Sequence, residues 1–143
     1  MKIAFGSDHG GYELKETLKK YLVEKGHTIK DFGTNSLDSC DYPDFAFPVA
    51  ESVAKKEFDR GVLVCGSGVG VTITANRVKG IRAVNAYDDY SARQSREHGD
   101  SNVLCLGGKT IKKDDALKIL DTWLNTPFSG DERHLRRIKK MDK

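Results

Sequence analysis

The sequence predicts an α/β domain: a parallel sheet covered by helices on both faces. Three observations carry that expectation. Short apolar runs alternate with segments of helical periodicity along the whole chain. Glycine-rich turns follow the first and third of those runs, at Gly6–Gly11 and Cys65–Gly70. The length of 143 residues with 38% apolar composition suits a single domain, residues 1–143, with one proper core.

Taken in order, Lys2 to Phe5 is the first strand, and its turn Gly6-Ser7-Asp8-His9-Gly10-Gly11 leads into a helix whose Leu14, Leu18, Tyr21 and Leu22 share a face. Gly26 ends that helix, and His27 is left at the surface. HTIKDFG then supplies a short second strand, closed by the turn-forming Gly33-Thr34-Asn35-Ser36. A loop to Pro43 precedes a helix from about Asp44 to Lys56, aligned by Phe45, Val49 and Val53. Gly61 opens the third strand. The helix after Cys65–Gly70 is expected to run to Lys79-Gly80, with IRAVNA as the fourth strand and a helix from about Asp88 to Glu97 beyond it. Asn102–Gly107 is the fifth strand. Ala116, Leu117, Ile119, Leu120 and Trp123 build the next helix, Pro127 and Gly130 break it, and a basic helix spans about residues 131–140.

The totals exclude several functions. A net charge of +3 is modest, and the basic residues crowd the last helix instead of forming a stripe, so nucleic acid is not the favoured partner. No apolar run reaches transmembrane length, and MKIAFGSDHGG breaks too soon for a signal sequence. Cys40, Cys65 and Cys105 form no Cys-x-x-Cys pair, which argues against a zinc or dithiol site and fits a reducing cytoplasm. No metal or cofactor motif is present.

The chemistry concentrates in VLVCGSGVGVTITANR, Val62 to Arg77. A strand delivers Cys65 to a loop with glycine at every second position, then to a helix start whose free amides suit an anion and stabilise a thiolate. The ordinary reading of such a cysteine is a small buried hydrophobe. A dinucleotide loop is disfavoured, because the spacing is Gly-x-Gly-x-Gly and follows the third strand. Asp8 and His9 end the first strand, where ligands gather in open parallel sheets; the alternative is a helix cap beside a solvated histidine. His98 ends a helix and falls at the opposite edge of its own subunit, where it could cap the helix; a partner subunit could return it to that site. Arg133 and Arg137, four apart, share a helix face and could fork onto a phosphate, or form a solvated basic tail. Thiol, Ser67 hydroxyl, amide cradle, histidine and phosphate clamp together suit proton transfer beside a carbonyl.

SDHGG, DFGT, DYPD, CGSGVGVTITANR, GIRA, YSARQSREH, SNVLCLGG and ERHLRR, in this order over nearly the whole chain, resemble type B ribose-5-phosphate isomerases, in the family that includes galactose-6-phosphate isomerase subunits. The resemblance implies a three-layer α/β/α Rossmann-like domain with a five-stranded parallel sheet, and a homodimer or dimer of dimers with shared sites. It implies interconversion of D-ribose 5-phosphate and D-ribulose 5-phosphate through a cis-enediolate, without metal or cofactor. Cys65 would move the proton, the amides of Gly66, Ser67, Gly68, Val69 and Gly70 would hold the oxyanion, and Ser67, threonine in many relatives, would assist. His98 of a partner with Asp8 would open the sugar ring. His9, Arg133 and Arg137 would hold the phosphate, with Lys109 where relatives often have arginine. Tyr42 would line the sugar side, while Cys40 and Cys105 would be structural. Relatives commonly carry asparagine where this chain has Gly99, so that contact to the sugar is lost or is made by backbone or Asp100, and a six-carbon sugar phosphate such as allose 6-phosphate or a galactose-type substrate would be admitted. A binding protein that keeps the cradle without the chemistry is the third reading.

Overall fold

The computed structural model describes residues 1–143. Its elements are β1 (Lys2–Ser7), α1 (Tyr12–Glu24), β2 (Thr28–Asp31), α2 (Pro43–Ala54), β3 (Arg60–Cys65), α3 (Val69–Ala75), β4 (Ala83–Asn85), α4 (Asp89–Gly99), β5 (Val103–Gly107), α5 (Lys113–Asn125) and α6 (Glu132–Met141). All five strands are parallel, in the order β2-β1-β3-β5-β4. The predicted three-layer α/β/α fold is therefore the observed one.

Strand periodicity of two sorts the core into its two faces. Ile3, Phe5, Val62, Val64, Leu104 and Leu106 point to the face covered by α1 and α5. Ala4, Leu63, Cys65, Val103 and Cys105 point to the other, against Val49 and Val53 of α2 and Val71 of α3. Cys65 thus leaves β3 on the α2/α3 side. That direction puts its sulfur beneath the start of α3.

The helix after the central loop is shorter than the sequence predicts, ending at Ala75 instead of Lys79-Gly80. The side-chain amide of Asn76 pairs with the backbone of Ala83 in both directions, at 2.8 and 3.0 Å. This pairing draws the chain from the helix toward β4, and tighter turn bonds from Arg77 and Val78 to Thr74 and Ala75 follow.

A polar network anchors the other end of the sheet. Lys15, fully buried on α1, donates to both Asp31 oxygens at 2.8 and 2.6 Å and to the Thr34 carbonyl at 2.6 Å. Asp31 also accepts from Lys19 and from the Gly33 amide. Gly33 and Thr34 exchange backbone bonds with Ser7, so the network braces the turn beside Asp8. Burial opposes ionisation of Asp31, but the hydrogen bonds from Lys15, Lys19 and Gly33 outweigh it and hold the carboxyl below 3.8. Replacing Lys15 with methionine is expected to cost about 3 kcal/mol, because it leaves a partly buried carboxylate underpaired. A drop in the urea unfolding midpoint without change in slope would register it. Because the folded-state value lies below the unfolded one, this stabilisation is present above the unfolded value and lost as pH falls toward the folded one. The Asp31→Asn variant should accordingly lose less stability than wild type between about pH 5 and pH 3.

Candidate active site

The strand order reverses between β1 and β3, since β1 leads outward to β2 and β3 leads the other way; ligand crevices of open α/β sheets form at such a point. Both sequence-predicted loops meet there. The Asp8 amide donates to the Val64 carbonyl at 3.3 Å, Gly108 to Cys65 at 2.7 Å and Lys109 to Gly66 at 3.0 Å, so the ends of β1, β3 and β5 are laced together.

Cys65 is 4% exposed, and the Gly68 amide donates to its sulfur at 3.1 Å. This amide fixes the sulfur at the mouth of the loop. Gly68 achieves this at φ +81°, a left-handed conformation open to glycine, and a Cβ there would lie 2.6 Å from Asn85 Oδ1. Ser67 is exposed, its Oγ accepting from the Val69 amide at 3.1 Å. Gly70 lies under the Tyr42 ring, so close that a Cβ would come within 2.7 Å of it. The loop therefore has a thiol floor, backbone amides as walls and a half-exposed aromatic roof.

Asp8 is buried, and its Oδ1 accepts from the Gly11 amide at 3.1 Å, so it does cap the turn before α1. His9 Nδ1 accepts from the Cys40 amide at 3.2 Å, which leaves the proton on Nε2, and the Cys40 sulfur lies 3.8 Å from the same nitrogen. Cys40 thus braces His9 and lies outside the core. Cys105 is fully buried, where desolvation pushes its thiol up to about 12. His9 and Lys109 line a cavity of about 240 Å³ with Gly10 and Gly108. A larger cavity, about 500 Å³, lies elsewhere, between the β4–α4 and β5–α5 turns; it contains no candidate residue.

His98, Gly99, Arg133 and Arg137 assemble separately. Arg82 donates to the Gly99 carbonyl at 2.8 Å, and its amide meets Asn102, whose carbonyl receives the Gly61 amide at the start of β3. This is the amino edge of the sheet, one strand length or about 17 Å from Cys65. Helix α6 packs on the end of α4, with His134 and Ile138 inward and Arg133 and Arg137 exposed. Within one chain, Arg133 and Arg137 join His98, whereas His9 and Lys109 join Cys65.

Sequence reasoning missed three residues of this setting. His134 stacks on His98 with ring centres 4.1 Å apart and planes 14° apart. Burial, then the positive neighbours His98, Arg133 and Arg137, lower its pKa, and its Nε2 has no partner. Its spacing of four from Ile138 was the available signal. Arg96 is 4% exposed and donates to Asp100 and to the carbonyls of Ser101 and Thr126, which fixes the turn after His98. Asn85 walls the Gly68 turn; nothing local marks it out.

A parallel α/β domain with a thiol and an amide cradle at its strand-order switch point belongs among the small-molecule enzymes. The family model "Ribose/Galactose Isomerase" matches residues 3–141. The chain is 46% identical over 140 residues to ribose-5-phosphate isomerase B of Escherichia coli (98% of this chain, 93% of that protein). It is 37% identical over 135 residues to D-erythrulose-4-phosphate isomerase of Pectobacterium atrosepticum (91% and 86%). The structure of Clostridium thermocellum ribose-5-phosphate isomerase B superposes with a TM-score of 0.98 at 49% identity, covering 99% of this chain and 95% of that one. The chain belongs to the ribose/galactose isomerase family, and it is an isomerase. No helix is long and apolar enough to cross a membrane.

Proposed function

We propose that the protein interconverts D-ribose 5-phosphate and D-ribulose 5-phosphate, with Cys65 as the base, at a site completed by a second copy of the chain. The observation that carries this reading is the Gly68 amide on the Cys65 sulfur at the floor of the cradle, 3.1 Å away. The Cys65 thiolate takes the proton from C2 of the open-chain aldose, and electrons move through a cis-enediolate. The proton on sulfur exchanges with solvent before sulfur delivers a proton to C1. The loop amides from Gly66 to Gly70 stabilise charge as it develops on the enediolate oxygen, an arrangement that often supplies the largest part of rate enhancement. Ser67 relays protons among the oxygens.

The partner subunit's His98, with Asp8, opens the furanose ring. His9 and Lys109 approach the phosphate from one chain and Arg133 and Arg137 from the other, in a dimer or dimer of dimers. Two half-sites at opposite edges of one subunit support this sharing. Three free cysteines fit a reducing cytoplasm.

A coupled assay that follows ribulose 5-phosphate formed from ribose 5-phosphate tests the reading; absence of turnover would remove it. Sugar length is a second question, because relatives act on chains of different length and a Cβ at Gly99 would meet nothing within 4 Å. Gly99→Asn should therefore fold as wild type and raise kcat/KM for the five-carbon relative to six-carbon sugar phosphates, such as allose 6-phosphate. Equal ratios in the two proteins would show that this position does not select the sugar.

A further inference from the structure

Beneath the turn that carries His98, a cavity of about 230 Å³ opens at the amino edge of the sheet. Lys56, Arg60, Arg82 and Arg96 line it, against the carboxylates of Asp59 and Asp100. The Asp100 charge is already committed to other arginines. Asp100 receives Arg96 at 2.8 Å and Arg82 at 3.5 Å, and Asp59 accepts from the Lys2 amide at 2.8 Å. Arg82 is paired a second time, with Asp142 at 2.6 Å.

Arg60 has no such partner. It makes no ion pair, and its Nη1 is buried without a hydrogen bond while the guanidinium lies 5.1 Å from the Trp123 ring centre. A buried donor left unmade is costly, and more so when it is charged. Burial, then repulsion from Arg96, lowers the Arg60 pKa to about 10 against the weaker attraction of Asp100 and Asp59, neither of which forms an ion pair with it. Lys56 is also without a carboxylate; it holds φ +64°, a left-handed conformation that non-glycine residues take at a cost. A turn at the end of α2 is thus held in a disfavoured shape with its lysine beside an unsatisfied arginine. The volume falls below the roughly 300–1,000 Å³ typical of sites for larger ligands, which leaves room for a small anion.

We propose that this cavity binds a tetrahedral oxyanion of the phosphate class, held by Arg60 and Lys56. It involves neither the cradle nor the Arg133–Arg137 pair, so it does not depend on the proposed reaction. Arg82 and Arg96 wall the cavity and also hold Gly99 and Asp100, so a bound anion would tie β3 to the turn after His98.

Calorimetric titration of the full chain with inorganic phosphate tests the proposal, using the Arg133→Ala/Arg137→Ala double variant to remove the arginines of the proposed substrate clamp. That protein should still bind phosphate. Adding Arg60→Met, or separately Lys56→Gln at an exposed position, should weaken this binding by roughly tenfold or more, the loss expected for one charge-assisted contact. No phosphate binding by the double variant, or binding that neither substitution weakens, would overturn the site. Should Arg60→Met not fold, Lys56→Gln carries the same test, and a selenate-soaked wild-type crystal with no selenium signal at Arg60 would also overturn it.

Discussion

Replacing Cys65 with alanine is expected to lower kcat for ribose 5-phosphate isomerisation by about 10²–10⁴-fold, the usual contribution of a positioned proton-transfer group. The cradle, Asp8 and His9 stay in place, so KM should change much less than kcat. The fold should survive, because one sulfur is lost from a face still packed by Val49, Val53 and Val71, at a cost of about 1–2 kcal/mol. Cys105→Ala is the control. Cys105 lies on the same sheet face, on the neighbouring strand β5, fully buried and with its thiol pushed up to about 12. Steady-state kinetics should show that variant near wild type.

The second large effect is recovery of activity from two inactive proteins. Cys65→Ala and His98→Asn should each be deficient alone. After subunit exchange, half of the dimers are hybrids, and each hybrid has one site with both residues intact, giving about a quarter of wild-type activity. The expectation follows from geometry: Cys65 and His98 stand at opposite edges of one sheet, so neither chain can complete a site for itself. An unchanged rate after exchange verified by mass spectrometry would mean that the site is not shared.

Much of this was legible in the chain because the signals are local. Apolar runs ending in glycine turns located β1 and β3 with their loops, and the position of His98 after a helix and before a strand put it at the far edge. Arg133 and Arg137 were readable as one helix face. Their company was not: α6 packs against the end of α4, which groups them with His98 and His134 and away from His9, and only tertiary packing decides that. The end of α3 at Ala75 depends on Asn76 pairing with Ala83 across a turn, which overrides helical periodicity. Lys15 looks like any helix lysine until Asp31 and the Thr34 carbonyl close around it. Arg60 and Arg96 likewise look like solvated charges, yet one is enclosed against Trp123 and the other holds the turn after His98.

The central claim is that the Cys65 sulfur moves the proton between the first two sugar carbons. Deuterium incorporation measured by NMR in heavy water tests it most directly, with ribose 5-phosphate supplied to wild type and to Cys65→Ala. Wild type should place solvent deuterium at C1 of the ribulose 5-phosphate formed, and the variant should incorporate almost none on the same timescale. Incorporation by folded Cys65→Ala at the wild-type rate would contradict the account.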